Sequence, residues 1–153
     1  MIELKKKEIA NSRFVFLQLS DDLSSWQQIL GKIDNFIKDE SRLERANPFA
    51  YIYFLPENIF WVGREVIGPP HVGDSPLILD FKGGVIHSCL IENGLELNQK
   101  ELLALKNRVC QDHVGEIDGS FPWRLRIDLE KEDKIPLNFE FFGQNYPFPK
   151  LTK

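Results

Sequence analysis

The sequence predicts an α+β fold: a mainly antiparallel sheet of about six to seven strands built from hairpins, with two helices packed on one face. Three observations carry this. Only two stretches repeat apolar residues at three- and four-residue steps. Short aromatic and β-branched runs fill most of the remainder, and those runs follow one another across brief turns. With 153 residues, 42% of them hydrophobic and 27% charged, residues 1–153 read as one domain. A chain of this size buries roughly 68–70% of its unfolded surface, enough for a core without metals or disulfides. Twelve Phe against one Met point to a core of rigid rings.

The first strand is Arg13–Leu19. Asp21, Asp22, Ser24 and Ser25 then supply helix caps. Trp26, Ile29, Leu30, Ile33, Phe36 and Ile37 form one apolar stripe, predicting a helix from Ser25 to about Arg45 that Asn47-Pro48 stops. Phe49–Leu55 and Ile59–Val66 flank Pro56-Glu57-Asn58 as a hairpin. The first of these strands, FAYIYFL, is apolar at every position and should be covered on both faces. A loop rich in proline and glycine, Gly68–Pro76, follows. Leu77–Phe81 and Val85–Glu92 predict a second hairpin around Lys82-Gly83-Gly84. Asn98 and Glu101 form a capping-box pattern before a helix whose buried stripe is Leu102, Leu105, Val109 and Cys110, ending at Gly115. Trp123–Leu129 alternates, with Arg124 and Arg126 on a face expected to be wet. Leu137–Phe142 is the last strand, and the tail 144–153 is read as either draped on the surface or loosely attached.

Composition narrows the function classes. Net charge is −4, from 23 acidic and 19 basic residues. Without a surplus of Lys and Arg, a nucleic-acid partner is not expected. The most apolar stretch, Phe49–Val66, is interrupted at Pro56 and cannot supply the ~20 residues of a membrane span. No apolar leader follows Met1, and the two cysteines, Cys89 and Cys110, read as reduced thiols. The expected address is the cytoplasm, with no cofactor.

Several constellations could carry chemistry. His71-Val72-Gly73-Asp74 and His113-Val114-Gly115-Glu116 each set an imidazole three residues before a carboxylate, so His71, Asp74, His113 and Glu116 are the candidate metal ligands. That spacing is far less specific than paired CxxC or HExxH patterns. Cys110 and His113 could form a thiol–imidazole pair, but Cys110 shares the buried stripe and Cys89 a core-like strand face. No nucleophile elbow, Walker loop or Rossmann glycine pattern occurs. Arg124 and Arg126 on one strand face, and Arg42 and Arg45 near the end of the first helix, could clamp a carboxylate or phosphate. Near the C-terminus, carboxylates and rings interleave. Asp128, Glu130, Glu132, Asp133, Phe142, Tyr146 and Phe148 form the candidate partner-binding set, with carboxylates steering and rings anchoring.

The general build is similar to that of bacterial immunity proteins, which neutralise toxins by covering their active sites. The resemblance implies a non-catalytic protein-binding module, an immunity-type inhibitor that covers a basic toxin or enzyme with an acidic and aromatic surface. The alternative is a small enzyme or ligand-binding domain whose pocket lies beside the 68–76 loop. It would use His71, Asp74 and His113, with or without a metal.

Overall fold

Nine strands and two helices make up the computed structural model, which describes residues 3–39, 42–69, 75–91, 98–120, 122–130 and 136–151. The strands are β1 (Lys5–Ile9), β2 (Ser12–Ser20), β3 (Glu44–Arg45), β4 (Phe49–Leu55), β5 (Ile59–Ile67), β6 (Leu77–Phe81), β7 (Gly84–Ile91), β8 (Trp123–Asp128) and β9 (Leu137–Phe142). The helices are α1 (Trp26–Asp39) and α2 (Gln99–Asp112). All strand pairings are antiparallel, in the order β1-β7-β9-β8-β4-β5-β2-β6, with β3 added beside β5. The α+β class and the antiparallel sheet are as expected. The strand count is higher because β1 and β3 join.

β1 is a charged run, Lys5-Lys6-Lys7-Glu8, that pairs as an edge strand with β7. Charged side chains suit an edge, where they discourage further strand addition. β3 lies where the sequence predicts the end of the first helix. The helix stops at Asp39, Leu43 packs with Ile33, Ile37 and Val66, and Glu44 and Arg45 pair with Ile67 and Val66. Tertiary pairing overrides the local helical pattern there. Elsewhere the helices follow their stripes. Trp26, Leu30, Ile33 and Ile37 are the buried face of α1, and Leu102 and Val109 that of α2. Asn98 caps α2 by accepting from the backbone N–H groups of Lys100 and Glu101.

The second hairpin is a correction. β6 and β7 do not pair; they lie near opposite ends of the strand order, although Lys82-Gly83 alone joins them. Ala10-Asn11 likewise joins β1, at one end, to β2, near the other. Two such short links are possible only if the sheet curls so that its ends approach each other without pairing, giving a half-barrel. The two links touch. Asn11 Oδ1 accepts from Gly83 N–H at 2.6 Å, and a Cβ on Gly83 would meet Ile9 O at 2.6 Å. Glycine is needed there for close backbone approach, not for a tight hairpin turn.

The order of elements repeats. β2-α1-β4-β5 and β7-α2-β8-β9 run alike, meet where β4 pairs with β8, and exchange their preceding strands, β1 to β7 and β6 to β2. No sequence period announces this. The curl gives the sheet two unlike faces. The convex face carries both helices over Ala50, Ile52, Phe54, Val62, Leu125, Ile127 and Phe139. There the buried Arg64 holds Asp34 of α1 through one guanidinium edge, Nε donating to Oδ1 at 2.9 Å and Nη2 to Oδ2 at 3.0 Å. The concave face holds a separate aromatic core: Phe14, Phe16, Tyr51, Tyr53, Trp61, Phe81 and Phe142. β4 is covered on both faces, as its uniform hydrophobicity predicts.

Candidate functional site

In antiparallel pairs, residues directly opposite share a face. One register row therefore crosses the concave face as Ser88, Glu140, Arg124, Tyr53 and Trp61, and the adjacent row contains Asn138, Arg126, Tyr51 and Gly63. Polar and charged side chains of β8 and β9 are thus set beside rings of β4 and β5, inside the curl.

Arg124 is the centre. It is 3% exposed, so the expectation of a wet outer face on β8 is overturned. Its Nε donates to Glu140 Oε1 at 2.7 Å and its Nη1 to Tyr53 Oη at 2.8 Å. Glu65 Oε2 stands 3.5 Å from the same Nη1. The guanidinium carbon also lies 4.7 Å from the Tyr51 ring centre and 5.5 Å from that of Phe142. Asn47 Nδ2 donates to Glu65 Oε1 at 2.8 Å, which fixes the second carboxylate. Burial works against the charge on Arg124, and Tyr53, Glu140 and Glu65 outweigh it, holding its pKa above the usual arginine value. Burial raises the Tyr51 and Tyr53 phenols, so both stay protonated.

The network is incomplete on one side. Among the described residues, two buried side-chain polar atoms have no hydrogen-bond partner, Arg126 Nε and Glu140 Oε2. They lie 3.8 Å apart, and Lys7 Nζ is 4.0 Å from the same Glu140 oxygen. Burial, then the charge of Arg126, lowers the Lys7 pKa, with Glu140 acting in the opposite direction. Each orphaned atom keeps its desolvation cost of about 1–3 kcal/mol until something bonds it.

Lys7 and Arg126 border open space, with Glu140 behind them. A cavity of about 920 Å³ is lined by Lys7, Asn47, Phe49, Tyr51, Glu65 and Arg126, with the β1–β2 link, Gly68 and Asp80 at its rim. An adjoining cleft of about 720 Å³ shares Lys7 and Arg126 and adds Lys5, Lys6, Ser88 and Asn138. Ligand pockets commonly span roughly 300–1,000 Å³ and combine apolar walls with a few converging polar groups. This cavity has that composition.

The residues expected to act lie elsewhere. Asp128 closes β8 opposite Phe49 and accepts from Glu130 N–H at 3.2 Å, and Glu130 is exposed. Glu132 and Asp133 lie outside the described residues. The rings expected at the surface turn inward. Phe142 is 3% exposed, and Tyr146 and Phe148 pack against the concave core. Phe148 stacks on Trp61 at 5.8 Å, and Tyr146 Oη donates to Lys82 O at 2.7 Å. Among the described residues, Phe142, Tyr146 and Phe148 therefore face the concave core, and Tyr146 and Phe148 dock the tail there.

His71 and Asp74 also lie outside the described residues. His113 caps α2, and its Nδ1 meets Glu116 Oε2 at 2.8 Å, away from the cavity lining. Among the described residues no group of three or more metal-ligating side chains converges. Both thiols are poor nucleophiles, since burial raises Cys110 and pushes Cys89 up to about 11. A thiol whose pKa is higher in the folded chain contributes stability that is complete below the ordinary thiol value of 9 and lost as pH rises towards about 11. Cys89→Ala should therefore flatten the fall of stability between those pH values, read by urea unfolding. An unchanged slope would contradict this.

The cavity residues Lys7, Tyr51 and Glu65, and Glu140 behind them, are absent from the sequence-predicted set. Arg124 and Arg126 are legible as a possible anion clamp; their burial is not.

No family model matches the chain, and no curated protein matches it in sequence. No helix among the described residues is long and apolar enough to cross a membrane. Solved structures do share its fold. The EcmrR C-terminal domain superposes with a TM-score of 0.68 at 11% identity, covering 92% of this chain and 96% of that one. EcmrR within its DNA complex gives 0.66 at 10% identity, covering 91% of this chain and 56% of that one. A bacterial transcription regulation protein from Staphylococcus aureus MU50 gives 0.57 at 7% identity, covering 92% of this chain and 97% of that one. The fold is thus that of domains found in transcription regulators, and the immunity-type inhibitor reading is overturned.

Proposed function

We propose that this chain is a small-molecule-binding domain that holds its ligand in the cavity on the concave face, as the sensing part of a cytoplasmic regulator. One observation carries the reading: Arg126, whose buried Nε has no hydrogen-bond partner, lines a cavity walled by Phe49, Tyr51 and Lys7, and the equally unpartnered Glu140 Oε2 lies behind it, 3.8 Å from that Nε. A core built for stability alone would pair such atoms or replace them with apolar groups. The shared fold with regulator domains supports the reading. The negative charge of the chain suits a domain that leaves DNA contact to another part of the regulator. This is the ligand-binding form of the second sequence-based reading, with the pocket moved from His71, Asp74 and His113 to the sheet interior.

A library of small organic molecules screened by thermal unfolding tests it. True ligands should stabilise the protein by about 2.7 kcal/mol at a hundred times Kd. They should lose that effect in Arg126→Ala. A library without any stabilising compound, or hits indifferent to Arg126, would contradict the reading.

A further inference from the structure

We propose that the cavity takes a ring-bearing monocarboxylate with a hydrogen-bond donor beside its acid group. This rests on the ligand-binding reading and adds the chemistry of the ligand.

Charge sets the sign. Over the middle of the concave face, Lys7, Arg124 and Arg126 meet Glu65 and Glu140, three cations against two carboxylates, in a chain of net charge −4. Arg124 is engaged by Glu140 and Tyr53, whereas Lys7 and Arg126 reach Glu140 only at 4.0 and 3.8 Å. One further negative charge balances the set, which fits a carboxylate better than a dianionic phosphate. The adjoining cleft extends the same sign through Lys5 and Lys6, so anions are drawn to this opening. A cationic ligand would instead lie against Lys7 and Arg126, a like-charge contact.

Geometry sets the rest. Arg126 Nε is a buried donor without an acceptor, and Glu140 Oε2 is a buried acceptor without a donor. Arg126 lines the cavity and Glu140 Oε2 lies just behind it, 4.0 Å from Lys7 Nζ, so a carboxylate is placed to accept from the first and a neighbouring hydroxyl or amino group to donate towards the second. Lys7, whose charge burial disfavours, gains a counter-ion in the same act. Phe49, Tyr51 and Phe81 line the cavity and offer ring faces to a planar ligand.

Calorimetric titration of the full chain with salicylate, salicylamide, benzoate and benzyltrimethylammonium tests this. Charge-assisted hydrogen bonds are the stronger class, so salicylate should bind at least about tenfold tighter than salicylamide. It should also exceed benzoate, which lacks the donor. Arg126→Gln and, separately, Lys7→Gln should each remove the preference for the acid, weakening salicylate far more than salicylamide. Lys7 is part-exposed on an edge strand, so its variant keeps the test sound if Arg126→Gln folds poorly. Amide or cation binding as tightly as salicylate, or an acid preference that survives both substitutions, would overturn the proposal while leaving the ligand-binding reading intact. Silence from all four probes would overturn it too, and the library screen then decides whether the broader reading falls with it.

Discussion

Glu140→Ala is expected to destabilise the fold by about 3–5 kcal/mol, the cost of leaving one member of a buried ion pair without its partner. Glu140 is 0% exposed and Arg124 3%, so no solvent reaches the abandoned guanidinium cheaply. Tyr53 Oη would remain bonded to Arg124, but a neutral phenol cannot balance the charge. Glu140→Gln should cost less, because its amide oxygen can still accept from Arg124 Nε. Replacing Arg124 and Glu140 together by apolar residues should cost less than the sum of the single substitutions, since neither charge is then stranded. Urea unfolding of the wild type, Glu140→Ala, Glu140→Gln, the single Arg124 variant and the double variant reads these differences. A Glu140→Ala loss below about 1 kcal/mol would mean that the pair behaves as an exposed ion pair does.

Gly63→Ala is the second large effect. Gly63 lies opposite both Tyr51 and Phe16 in the ladder, and a Cβ there would run into the Val15 carbonyl oxygen and come 2.8 Å from Phe16 Cα. Both obstacles are backbone, so no side chain can swing aside. The loss should exceed the ~1–3 kcal/mol of ordinary overpacking. It should be accompanied by weakened β2–β5 pairing, seen as faster amide exchange in both strands. A wild-type unfolding midpoint for Gly63→Ala would show that β2 and β5 have room the structure denies them.

Much of the architecture is legible in the residues. The stripes of α1 and α2, the Asn98 cap, the β4–β5 hairpin and the two-sided burial of FAYIYFL all follow from local rules and hold in the fold. Three features do not follow. Lys5-Lys6-Lys7 becomes a strand because β7 offers an edge, which no local pattern records. Lys82-Gly83 looks like a hairpin turn, yet it links distant parts of the strand order, and only the curl of the whole sheet explains it. In β8 the period of two is correct, but charge at Arg124 does not mean water, because Glu140 comes to it from β9 and Glu65 from β5.

The candidate site is illegible for the same reason. Lys7, Tyr51, Glu65, Arg126 and Glu140 are scattered over five strands and meet only through register. Nothing in their spacing along the chain resembles a motif. The rings Phe142, Tyr146 and Phe148 fail as surface anchors because the concave face, invisible in a linear reading, takes them in.

On the proposed function, this protein meets its ligand in the concave cavity. Amide chemical-shift mapping with the tightest ligand from the library screen tests it most directly. Perturbations should centre on Lys7, Tyr51 and Arg126, spread along β1, β4 and β8, and spare the outer surfaces of α1 and α2. Shifts gathered on those helices or on the Asp128–Glu130 turn, with the cavity strands silent, would contradict the account.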